Sequence, residues 1–89
     1  MSQRVEAGFG PAAESALKEI LATNEVDKIV GRPNALRATV GELAASVGEI
    51  NGIPIEANPD DRTEDYLVVF WNKGRIVAEL KVGDTAGFF

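Results

Sequence analysis

Tyr66-Leu67-Val68-Val69-Phe70-Trp71-Asn72-Lys73-Gly74-Arg75-Ile76-Val77-Ala78-Glu79-Leu80-Lys81-Val82 is the segment whose reading decides the fold class. β-Branched and aromatic residues dominate both halves and Asn-Lys-Gly between them is turn chemistry, so the segment reads as a β-hairpin. A three-residue turn with Gly74 in the left-handed position pairs Trp71 with Arg75, Phe70 with Ile76, Val69 with Val77 and Val68 with Ala78. Directly opposed residues share a face. One face is then Tyr66, Val68, Phe70, Ile76, Ala78 and Leu80, apolar apart from the tyrosine hydroxyl, and is expected to meet the core. A two-residue Lys-Gly turn would shift the faces by one residue and turn Tyr66, Val68, Phe70 and Val77 outward.

In the first register the other face is Leu67, Val69, Trp71, Arg75, Val77, Glu79 and Lys81. Its second strand is half charged, as a solvated face should be, whereas its first strand is oily. Something has to cover it. Three coverings come into question: the chain's own ends, through Val5 and Phe9 or through Phe88 and Phe89; a second copy; or a different protein. Tryptophan is enriched among residues that dominate binding energy, so Trp71 is the natural anchor of a docking surface. The candidate interface set is Leu67, Val69, Trp71 and Val77, with Phe88 and Phe89 as a second patch.

Upstream of the hairpin, Asn58 to Asp65 is a polar turn region. Before it, Ile53-Pro54-Ile55-Glu56-Ala57 reads as a short strand that its proline confines to an edge or to the strand's first positions. The preceding stretch is helical in pattern. Leu36, Val40, Leu43, Val47 and Ile50 recur at spacings of 4, 3, 4 and 3, which predicts a helix over 34–47 ended by Gly48. A line of small residues, Ala38, Gly41, Ala45 and Gly48, lies opposite that stripe. Asn24, with Asp27 three residues later, predicts the cap of a short second helix that turns Val26, Ile29 and Val30 inward and stops at Gly31. Pro11 opens a first helix over 11–22 with Ala13, Ala16, Leu17, Ile20 and Leu21 on one face. Residues 1–10 read as a loosely ordered lead-in. Helices first and strands second make the class α+β: two or three N-terminal helices on a small antiparallel sheet of three strands, with room for a fourth. The 89 residues form a single domain, 1–89.

Composition narrows function by exclusion. A net charge of −5, with nine Lys and Arg scattered rather than clustered, argues against nucleic-acid backbones and anionic membranes. Cysteine and histidine are both absent, which removes disulfides, thiolate and imidazole metal ligands, and the usual activator of a serine nucleophile. The opening residues lack the apolar core of a signal peptide and no apolar run approaches bilayer length, so the cytoplasm is the expected compartment.

Three short patterns resemble sites and each is incomplete. The oxygen-rich Asn58, Asp60, Asp61, Glu64 and Asp65 miss the calcium-loop pattern, because Arg62 and Thr63 stand where a ligand and the turn glycine belong. Gly8-Phe9-Gly10 before a helix lacks the third glycine and the lysine of a phosphate cradle. Thr39 to Gly48 resembles the first helix of a helix-turn-helix, yet Asn51-Gly52-Ile53-Pro54-Ile55-Glu56-Ala57 would have to serve as recognition helix, and it carries glycine, proline and no basic residue. The sequence therefore points to a non-enzymatic protein-binding module of the accessory-subunit, inhibitor, immunity or virion type, without cofactor or metal. Its partner is another protein or itself. A DNA-binding regulator and a small enzyme working with carboxylates alone are the rival classes.

Overall fold

The computed structural model describes residues 3–8, 10–57 and 67–83. Tyr66, Phe88, Phe89 and the acidic loop lie outside the described residues. In chain order the elements are β1 (Gln3–Ala7), α1 (Pro11–Thr23), β2 (Lys28–Gly31), α2 (Pro33–Thr39), α3 (Glu42–Val47), β3 (Glu49–Ile50), β4 (Ile53–Ala57), β5 (Leu67–Asn72) and β6 (Arg75–Val82). The class is α+β, with three helices and one six-stranded sheet of order β1-β6-β5-β2-β4-β3 among the described residues.

The sheet is larger than the expected three or four strands, and it is mixed rather than antiparallel. β1 runs parallel to β6 and β2 parallel to β4, while β5 is antiparallel to both of its neighbours, β6 and β2. The C-terminal hairpin thus occupies the middle of the sheet, between two strands supplied by the N-terminal half. Two segments expected elsewhere furnish them. Residues 3–7 pair along β6 as an ordered strand rather than a lead-in. Residues 28–31 pair with β5 and β4 instead of forming a second helix. The β-branched pair Ile29-Val30 suits a pleated strand, and Pro33 leaves room for only four residues before it opens α2.

The intended caps of that second helix hold other things. The Asn24 N–H bonds the Ile20 carbonyl as the C-cap of α1. Its side-chain amide donates to Gln3 Oε1 at 2.9 Å, tying the helix end to β1. Asp27 accepts the Lys73 N–H at 2.8 Å.

The expected helix over 34–47 is two helices. α2 ends at Thr39, Val40 caps it, and Gly41 takes φ 97° and ψ 159°, a backbone conformation essentially reserved for glycine. The five-residue stripe breaks there. Leu36 is buried, but Leu43 and Val47 on α3 are 79% and 68% exposed. The β3–β4 hairpin follows, on the stretch where a recognition helix would have to lie.

One core lies between the sheet and the helices. Ala13, Ala16, Leu17 and Ile20 of α1 and Ala35 and Leu36 of α2 meet Ile29, Val68, Phe70, Ala78, Leu80 and Val82 of the sheet. α1 begins at Pro11 and buries four of its five predicted inward residues; the fifth, Leu21, is half-buried against the same cluster. Thr39, buried among these groups, donates its hydroxyl to the Ala35 carbonyl at 2.9 Å, so no polar atom is stranded there.

Candidate functional site

The face of the sheet turned away from the core is the candidate site, and the hairpin register builds it. Lys73 and Gly74 have φ of 53° and 78°, the positive pair of a two-residue type I′ turn. Asn72 pairs with Arg75 and Trp71 with Ile76, and then a bulge inserts Val77, so that Phe70 meets Ala78, Val69 meets Glu79, Val68 meets Leu80 and Leu67 meets Lys81. Of the two expected turns the two-residue Lys-Gly one forms, but Val68 and Phe70 stay buried, so the shift of faces expected with it does not follow. The bulge displaces the pairings of the three-residue turn by two residues along the body of the hairpin, and an even displacement keeps those side chains on their faces. Val68, Phe70, Ala78 and Leu80 are buried, as the alternation predicts.

The bulge changes only the residues beside it. Ile76, expected inside, is 39% exposed. Val77, expected on the outer face, packs against the core cluster and leaves the candidate set. Pairing a residue with two opposite one locally re-aims side chains, which is the physical reason for both departures.

Leu67, Val69 and Trp71 alternate with the buried residues of β5 and are half-buried without packing on the core. Val30 joins them from the neighbouring strand, directly opposite Val69. Sequence reasoning missed Val30 because its segment read as helix. The four side chains form a contiguous apolar block on two central strands, edged by Lys28, Glu56, Glu79 and Lys81. α1 and α2 bury their apolar residues against the opposite face, and α3 leans on α2 and β3. Among the described residues no helix crosses the block.

Trp71 is held firmly. Lys28, opposite it in the register, places Nζ 5.2 Å from the ring centroid, within cation–π range. The Asp27 N–H donates to the Trp71 carbonyl at 2.8 Å, and the Asn72 side-chain amide donates to the Glu25 carbonyl at 2.8 Å. With the Asp27–Lys73 bond, Glu25 and Asp27 tie the hairpin tip down with three hydrogen bonds, and Lys28 lies over the indole. A rigid aromatic loses little entropy on binding.

A separate cleft of about 300 Å³ lies between α2, α3 and the end of β4, lined by Pro33, Leu36, Arg37, Glu42, Ala45, Ser46 and Ala57. Its polar lining is Arg37, Glu42 and Ser46. No cluster of three potential metal ligands occurs among the described residues, and no helix there is long and apolar enough to cross a membrane. No family model, no curated protein and no solved structure matches this chain.

Proposed function

We propose that this chain is a non-enzymatic protein-binding module that docks through the outer face of its central strands, with Trp71 as anchor and Leu67, Val69 and Val30 as the apolar floor. The observation that supports the reading is a contiguous apolar block on β5 and β2, on the side of the sheet opposite the helices. Antiparallel pairs that face water on one side normally alternate oily and polar residues, and β5 does not. The charged residues at the edges are mixed in sign, which suits register and partner choice more than raw affinity. Small accessory subunits, inhibitors, immunity proteins and virion components work by docking of this kind.

Val69→Arg tests the reading in two measurements. Urea unfolding should change by no more than about 0.5 kcal/mol, because the residue lies outside the core. A protein captured by the wild type should be lost by the variant. If the variant is instead destabilised by several kcal/mol, the block is covered within the chain and the docking role is withdrawn.

A further inference from the structure

The outermost strand β1 offers a different surface, independent of the face just described. β1 ends the sheet, with β6 as its one strand partner among the described residues. The Gly83 N–H bonds the Ala7 carbonyl at 3.0 Å, so the residues of β1 that bond to β6 are the odd-numbered ones, Gln3, Val5 and Ala7. The N–H and C=O groups of Arg4 and Glu6 then point to the open edge, and both side chains are exposed.

We infer that β1 pairs antiparallel with β1 of a second copy, about a two-fold axis at Val5, to make one continuous sheet. The register follows from parity and charge. Only residues whose backbone groups reach the edge exchange hydrogen bonds, so Arg4 and Glu6 must face Arg4 and Glu6 of the other copy. An axis at Arg4 sets arginine against arginine, and an axis at Glu6 sets glutamate against glutamate. An axis at Val5 sets Arg4 opposite Glu6 in both directions, with four backbone hydrogen bonds and two opposite-charge pairs. Directly opposed like charges destabilise a ladder and opposite charges support it, which selects the third arrangement. Arg4 already lies 3.0 Å from Glu79 and 3.7 Å from Glu6 within its own chain, so the new carboxylate completes an existing charge network. The opposite end of the sheet is β3, two residues long, which gives a head-to-tail filament almost nothing to pair with. Closed two-fold pairing remains. Opposed residues share a face, so both Trp71 blocks end up on one side of the joined sheet.

A five-residue edge is a small interface and belongs to the weak class, so sedimentation must span about 10 µM to 1 mM. The wild type is expected to become a dimer of twice 9.5 kDa across that range. Glu6→Arg should weaken it about tenfold or more, and so should Arg4→Glu. An equimolar mixture of the two variants should recover the dimer, because every cross-pair is again opposite in sign. The chain has no cysteine, so Val5→Cys gives an unambiguous register test. The opposed Cα atoms at the axis lie about 4.5 Å apart, within disulfide reach, and mild oxidation should link two copies. A wild type that stays monomeric at about 1 mM overturns the inference. So does a dimer indifferent to Glu6→Arg, a mixture that stays monomeric, or a Val5→Cys chain that does not cross-link.

Discussion

The C-terminal hairpin and the stretch from Leu36 to Ile50 carry the two most regular apolar patterns in the chain, yet one survives folding and the other does not. Along β5, residues Val68 and Phe70 are fully buried, and a bulge beyond them absorbs a different turn without moving them. In the helical stretch, the predicted stripe ends after Val40, and Leu43 and Val47 turn to solvent. The difference is in what enforces each pattern. β5 sits between β6 and β2, so its alternation is locked by two ladders and by the helices above one face. The helical stripe depended on a single continuous helix, and one glycine in a glycine-specific conformation ended it. A period shared with long-range partners is robust; a period held only by its own backbone is not.

The largest effect should come from removing the centre of the enforced pattern. Phe70 is 0% exposed and sits opposite both Ile29 and Ala78. Phe70→Ala should cost about 3–5 kcal/mol in urea or thermal unfolding, through lost burial and the cavity left behind. A cost below about 1 kcal/mol would show that the sheet does not depend on its middle strand. Next in size is Gly31→Val, at the far end of the same ladder. A Cβ there would lie 3.1 Å from the Leu67 carbonyl oxygen and 3.4 Å from both Leu36 and Val68 side chains. The nearest atom is backbone and cannot swing aside, so overpacking should cost about 1–3 kcal/mol. Calorimetry on that variant separates a tight sheet–helix junction from a loose one.

These two regions also explain how much could be read in advance. The face of α1, strand β4 and the burial of Val68, Phe70, Ala78 and Leu80 in the hairpin followed from periodicity, because in each case local preference and tertiary burial agree. Leu67, Val69 and Trp71 were legible as the outward set by the same alternation. Strand β1 carried a faint signal, Val5 and Ala7 alternating with Arg4 and Glu6, but five residues of alternation give little without a partner. Ile29-Val30 is too short an apolar run to distinguish strand from helix by pattern, which also hid Val30 from the candidate site. The sheet's mixed direction was invisible for a further reason. Strand direction is decided by where β1 and β2 join the hairpin, across most of the chain's length, and no local spacing encodes that.

Gly41→Ala sharpens the comparison through its sign. In a continuous helix the change would stabilise by about 1 kcal/mol, since alanine loses less backbone entropy than glycine. At φ 97° and ψ 159° an alanine is strained, and the variant should instead lose about 1–3 kcal/mol. Denaturant midpoints decide between the two with no overlap in sign.

Leu43→Lys should have the smallest effect and is informative because of it. A leucine in the apolar stripe of an intact helix would cost about 2–5 kcal/mol to truncate, and more to replace with a charge. At 79% exposure on α3, Leu43 has almost no burial to lose, and lysine is as good a helix former. Stability should therefore stay within about 0.5 kcal/mol of the wild type. The same substitution probes what Leu43 and Val47 do when the protein is not alone. If sedimentation of the variant shows the wild-type state at every concentration, the α3 pair is a surface left over from the broken stripe, and association belongs to the sheet. If the variant loses an association that Glu6→Arg leaves intact, the short helix is itself a contact surface, and the unenforced pattern has a use that the enforced one does not share.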